Sequence, residues 1–238
     1  MKFEGKRVLI FGGTSGIGLA VAEAASAEGA EIIVVSSRPE KVDAALAHLG
    51  KGEGRVADLS DEKAVEALFG RVPPFDHLVF TAGDTVWQRV IGDTDLADAK
   101  NFFGVRFWGA FLVAKHGSKL IRPDGSIVLT SSTVPRRPPK GFAIGASISA
   151  SVEALARALA VELAPVRVNV VAPGIVRTPI WDRLPEEQRE AFFSERGTAM
   201  PVGRVGMPAE IAQAYLFLMR STFTTGQVVV LDGGMLLV

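Results

Sequence analysis

Short runs of β-branched and aliphatic residues alternate along this chain with stretches in which apolar positions recur every three or four residues. The runs at 7–11, 31–36, 54–57, 77–81, 126–130, 167–171 and 227–231 predict strands. Several of them, such as Val8-Leu9-Ile10-Phe11 and Ile32-Ile33-Val34-Val35, are apolar almost throughout, as strands covered on both faces of a parallel sheet must be. Helical periodicity occupies 17–28, 39–49, 61–70, 96–120, 146–163 and 208–219. Ser60 is placed to cap the third of these helices, and Pro208 suits the first turn of the last. Strand–helix alternation of this kind predicts right-handed crossovers and one doubly wound parallel α/β sheet of about seven strands, with helices on both faces. A chain of 238 residues fits a single domain of this size, and it carries no repeat and no linker. The one long irregular stretch, 173–206, reads as a lid or substrate loop inside that domain.

Composition narrows the function. The 26 basic residues balance the 26 acidic ones, which speaks against a nucleic-acid partner. There is no cysteine, so disulfides, thiol nucleophiles and cysteine metal sites are all excluded. His48, His77 and His116 are scattered without metal-ligand spacing, and no metal is expected. The apolar stretch 102–113, interrupted by Arg106, falls short of the about 20 residues that a membrane span needs. Met1-Lys2-Phe3-Glu4-Gly5-Lys6 runs into a strand and not into a secretion-type apolar segment, so a cytoplasmic protein is expected.

The first strand runs at once into Gly12-Gly13-Thr14-Ser15-Gly16-Ile17-Gly18 and then a helix. A turn this tight needs residues without Cβ so that the backbone can approach a pyrophosphate, and the helix N-terminus adds unpaired N–H groups and a positive dipole end. That strand–turn–helix context makes the glycines a Rossmann-type dinucleotide site. The second strand ends Val35-Ser36-Ser37-Arg38 without the acidic residue that an NAD ribose would want. Arg38 offers a fork of donors for a 2′-phosphate and Ser37 adds a hydroxyl, which points to NADP(H). The alternative for Arg38 is a solvated arginine ahead of the helix that starts at Pro39.

The spacing Gly12-x-x-x-Gly16-x-Gly18 resembles the glycine motif of the short-chain dehydrogenase/reductase family, and the resemblance covers nearly the whole chain. Asp58-Leu59 resembles that family's adenine-contacting pair. Ala82-Gly83 matches the end of its Asn-Asn-Ala-Gly motif, with Phe80 and Thr81 in place of both asparagines. Pro173-Gly174-Ile175-Val176-Arg177-Thr178 resembles the segment that touches the nicotinamide end, chiefly through Pro173, Gly174, Val176 and Thr178. Gly203-Arg204, Pro208-Ala209-Glu210, Thr225-Gly226 and Asp232-Gly233-Gly234 follow in the family's order.

The same resemblance exposes a departure. Family members use a tyrosine acid, a lysine that tunes it, a serine that binds the substrate oxygen and an asparagine that orders water. With the serine placed on Ser132, the tyrosine position thirteen residues on holds Gly145, and the lysine position holds Ser149. Arg106 stands where the asparagine belongs. The lone tyrosine, Tyr215, lies in the last helix and reads as core. A positioned acid is worth about 10²–10⁴ in rate, so the usual proton relay is expected to be absent.

Gly145 should leave a phenol-sized hole. Arg106, permanently protonated, could stabilise an oxyanion together with Ser132, although it is a poor proton donor; its alternative is a structural ion pair or helix contact. Ser132 equally fits a strand-end hydroxyl. Asp84 and Trp87 fall where members of that family line the substrate pocket, and Arg136-Arg137-Pro138-Pro139-Lys140 makes a cationic loop, so a small anionic or aromatic substrate fits the pattern; the alternative for the loop is a merely solvated run. Three readings stay open: an NADP(H)-dependent carbonyl/alcohol oxidoreductase with an altered acid, a catalytically silent NADP(H)-binding sensor or partner subunit, and a non-redox enzyme using the emptied pocket. Phe102, Phe103, Phe107, Trp108 and Phe111 give helix 96–120 more apolar surface than one core face needs, which predicts a homotetramer or homodimer; the alternative is that the same aromatics fill an internal pocket.

Overall fold

In a computed structural model that describes residues 2–83 and 85–238, the strands are β1 (Arg7–Phe11), β2 (Glu31–Ser36), β3 (Glu53–Val56), β4 (Phe75–Phe80), β5 (Ile121–Thr130), β6 (Arg167–Pro173) and β7 (Val228–Leu231). All pair in parallel, in the order β3-β2-β1-β4-β5-β6-β7. The order reverses between β1 and β4, and in an open α/β sheet a ligand crevice forms at such a reversal. The helices are α1 (Gly16–Ala27), α2 (Pro39–Leu49), α3 (Glu62–Phe69), α4 (Leu96–Phe103), α5 (Ala110–Gly117), α6 (Ala143–Glu162), α7 (Glu186–Thr198) and α8 (Pro208–Arg220).

Period-two alternation sorts the strand residues into two cores. Leu9, Phe11, Ile33, Val35, Leu78, Phe80, Ile127 and Leu129 face a layer that includes α3, α5 and α6. Val8, Ile10, Ile32, Val34, Val79 and Val128 face the opposite layer of α1 and α8. Burying each such aliphatic side chain is worth about 1.5–3 kcal/mol, so a one-residue slip of any central strand would exchange both cores at once.

Four expectations are corrected by packing. The expected single helix 96–120 is divided, because Gly104–Gly109 winds as a wider π-type stretch between α4 and α5. Gly109 lies so close to Leu59 that a Cβ would stand 3.2 Å from the leucine Cβ, and the glycine-bounded insertion lets the helix pass this point. Ser60 does not cap α3. Asp61 does so by accepting from the Lys63 amide, while the Ser60 amide and hydroxyl both donate to Asp58. The 173–206 stretch is largely ordered by α7, whose Phe193 packs with Met200 and Val205 in a small core of its own. Finally, the longest apolar helix is α6 and not 102–113. It is long and apolar enough to cross a membrane, and its Val152, Ala156 and Leu159 pack into the sheet core.

Candidate active site and dinucleotide crevice

The glycine turn sits at the strand-order reversal and is held from β4. Thr81, one of the residues standing where the family has asparagine, donates its hydroxyl to the carbonyls of Phe11 and Gly12 at 3.0 and 3.2 Å. The β1 and β4 ends are thereby tied together, with Ala82 against the turn. Gly12 has φ +79, and a Cβ on it would lie 2.7 Å from the Ala82 nitrogen. Gly18 is packed so closely that a Cβ would meet the Gly12 carbonyl oxygen at 2.2 Å. Gly12 is therefore required by contact as well as by conformation, and Gly18 by contact alone.

α1 begins with Ser15 in an extended conformation whose side chain makes no cap. With Thr14 beside it, the first-turn amides of Gly16, Ile17 and Gly18 point out of the helix end without a side-chain acceptor, an arrangement that suits an anion. The 173–178 segment closes over the same turn: the Thr178 side chain lies 3.3 Å from where a Gly16 Cβ would be. Pro173 ends β6, the Gly174 amide donates to Leu231, and the buried Val176 offers its carbonyl to Trp181 Nε1 at 3.0 Å. Sequence-separated motifs are thus brought to one crevice.

At its adenosine side, Ser37 and Arg38 are exposed at the end of β2. No carboxylate pairs with the Arg38 guanidinium among the described residues; its amide donates to Ser36 Oγ at 3.3 Å and its carbonyl accepts from the Lys41 and Val42 amides at the start of α2. Asp58 holds its carboxyl below the ordinary range, chiefly through the Ser60 amide and hydroxyl. Leu59 is buried in the core, leaving only its backbone for a ligand.

At the other end, Gly145 lies in the first turns of α6. A Cβ there would meet Phe142 Cδ1 at 3.6 Å and the Trp87 carbonyl oxygen at 3.9 Å, both ordinary contacts. Ser149, one turn on, places its hydroxyl 2.8 Å from that of Ser132, which also accepts from the Val134 amide at 3.3 Å. Arg106, carried on the π-type stretch, donates to the Thr85 carbonyl at 2.5 Å and lies over the Phe102 ring at 5.2 Å. Gly83, at φ +150, is the residue that admits it, since a Cβ there would stand 2.7 Å from Arg106 Cζ. Arg106 and Ser132 therefore have different immediate partners. Asp84 lies outside the described residues.

Sequence reasoning missed the support beneath this site. Glu153 is buried one turn beyond Ser149 and accepts from the Ser131 hydroxyl at 2.8 Å and from Arg136 at 2.8 and 3.2 Å. The i, i+4 spacing of Ser149 and Glu153 was the available signal. Arg136, expected as part of a cationic loop, is committed to this pair, and Arg137 donates to the Met235 carbonyl. Tyr215 is fully buried with its hydroxyl 2.7 Å from Thr130 Oγ1, a core residue as expected, and burial pushes its pKa up.

Known proteins are similar to this chain over its whole length. The family model described as Enoyl-(Acyl carrier protein) reductase matches residues 12–236. The short-chain dehydrogenase/reductase ucsE of Acremonium sp is 35% identical over 256 residues, covering 99% of this chain and 97% of that protein. A small-chain dehydrogenase solved in complex with NADPH is 36% identical with a TM-score of 0.87, covering 98% of this chain and 99% of its own. MalC Reductase/Diels-Alderase from Malbranchea aurantiaca superposes with a TM-score of 0.93 at 33% identity, covering 100% of this chain and 98% of its own. With its sheet order, its glycine turn and these full-length similarities, the chain belongs to the short-chain dehydrogenase/reductase family of nicotinamide-dependent oxidoreductases.

Proposed function

We propose that the protein is an NADP(H)-dependent oxidoreductase of a carbonyl/alcohol pair with a non-standard proton supply. The observation that carries the reading is Arg38, an exposed guanidinium without a carboxylate partner among the described residues, at the end of β2 beside an uncapped helix N-terminus. The amides of Gly12–Gly18, Ser37 and Arg38, Asp58, Ala82-Gly83 and the 173–178 segment would hold the dinucleotide. Bound there, it supplies hydride. The NADPH complex of one structural relative supports the same choice of cofactor.

Gly145 and Ser149 carry no acid and no ammonium at the positions where the family's tyrosine and lysine are expected. The permanent charge of Arg106 favours an oxyanion, and the Ser132 hydroxyl can donate to one by turning from Ser149. The proton that completes an alcohol would then be drawn from water admitted beside Gly145. A second reading, silent NADP(H) binding, is favoured by one observation: the Ser132 hydroxyl is already engaged by Ser149 and the Val134 amide. Exposed Trp108 and Phe111 on neighbouring turns fit assembly into a homo-oligomer.

Calorimetric titration with NADPH and NADH, followed by a carbonyl and alcohol panel, tests the reading. Wild type should prefer NADPH, and Arg38→Ala should reduce that preference by about tenfold or more. Equal affinity for both dinucleotides in the wild type would overturn the cofactor assignment. Tight NADPH binding with no turnover across the panel would select the silent reading.

A further inference from the structure

A cavity of about 420 Å³ opens beside Gly83, between the 85–89 segment, α4 and Arg183. Its size is that of a small-ligand pocket. Trp87 and Phe102 form a flat apolar wall, their ring centroids 5.3 Å apart. A guanidinium sits over each ring, Arg89 at 5.0 Å from Trp87 and Arg106 at 5.2 Å from Phe102. Arg89 is offset by Asp98 at 2.8 Å. Arg183 reaches in from the segment before α7 and donates to the Val86 carbonyl at 2.8 Å, and its charge has no carboxylate partner among the described residues.

The second observation concerns Trp87 itself. Its indole Nε1 is buried and has no hydrogen-bond partner among the described residues. Buried donors left without an acceptor are rare because the lost hydration is not replaced. An N–H in this condition, on a residue that lines a cavity, is satisfied when an acceptor arrives. Because Nε1 is sealed from solvent, the indole must turn to meet that acceptor. Its neighbours in the segment are anchored meanwhile by Arg183 to Val86 and by the Arg89 amide to the Gly141 carbonyl at 2.8 Å.

Resting on the oxidoreductase reading, we infer that this cavity selects a planar conjugated carboxylate as its substrate class, with Trp87 Nε1 donating to an oxygen and Arg183 balancing the charge. The flat aromatic wall favours a conjugated ring system over a tetrahedral anion. Arg183, whose guanidinium has no carboxylate partner among the described residues, favours negative charge.

The test titrates 2-naphthoate and its acceptor-free counterpart 2-methylnaphthalene into the full chain, with and without saturating NADPH. Wild type should bind 2-naphthoate at least tenfold more tightly than 2-methylnaphthalene. Trp87→Phe, which keeps the ring and deletes the donor, should lose about tenfold for 2-naphthoate alone, without a lowered melting temperature. Arg183→Gln should lose a similar factor together with the salt dependence. Equal affinity for the two probes in the wild type, or wild-type 2-naphthoate binding in both variants, would overturn the inference. Failure of NADPH to bind would instead sink the oxidoreductase reading, since the cofactor-free arm reads the cavity directly.

Discussion

The hydroxyls of Ser132 and Ser149 lie 2.8 Å apart, so the end of β5 is joined to α6 by a bond between two neutral side chains. A tyrosine and lysine would bring an acid and a charge to this place; the serine pair brings neither. Around Gly145, the space for a Cβ meets only ordinary contacts with Phe142 and Trp87. The backbone therefore tolerates a Cβ at this position.

Restoring the pair should restore the chemistry. A Gly145→Tyr, Ser149→Lys double variant is expected to raise NADPH-dependent ketone reduction by about 10²-fold or more over wild type, measured as steady-state NADPH oxidation. Equal rates in the folded double variant would mean that the rest of the site is not arranged for carbonyl reduction.

Glu153 is the anchor beneath the serines. Glu153→Ala leaves the Ser131 hydroxyl and Arg136 without their shared acceptor and should cost about 2 kcal/mol in denaturant unfolding. Glu153→Gln, which keeps an acceptor but not the charge, should cost less than half of that. A Glu153→Gln cost as large as that of Glu153→Ala would show that the charge, and not the acceptor, holds the clamp.

Gly12→Ala meets two obstacles together, a φ of +79 and an approach of 2.7 Å to the Ala82 nitrogen. Backbone cannot give way as a flexible side chain can. The variant should lose dinucleotide binding in calorimetry and about 2–4 kcal/mol of stability. Wild-type affinity for NADPH would remove the turn from the binding site.

His77 is buried at the opposite end of β4, its Nδ1 2.9 Å from Ser126 Oγ. Burial pushes its pKa from 6.5 down to about 4. Between those values the unfolded chain binds a proton that the folded chain refuses. The stability it supports is thus complete above pH 6.5 and drains away as the pH falls toward 4, by at most about 3 kcal/mol. His77→Gln should flatten the unfolding free energy across that window, and an unchanged slope would assign the acid sensitivity elsewhere.

The elements were legible where local signals agree. α2 begins at Pro39, and β1 and β2 end where their apolar runs do. The glycine turn was equally readable, since a strand, a tight turn and a helix follow one another without interruption. The division of 96–120 was not, because it answers a contact between Gly109 and Leu59, residues far apart in the chain. α7 escaped notice because its charged run shows little apolar periodicity and its stability rests on Phe193 meeting Met200 and Val205.

By itself the sequence determined the sheet, the glycine turn, the arginine at the end of β2 and the glycine and serine at 145 and 149, for each of these is a matter of residue identity and short-range order. Only the tertiary structure decided which groups those residues meet. It gave Ser132 to Ser149, Arg136 to Glu153 and Arg106 to Thr85, and left the Trp87 N–H with no acceptor among the described residues. The physical reason is that a hydrogen bond depends on distances of about 3 Å between atoms that the chain brings together only when the whole sheet closes.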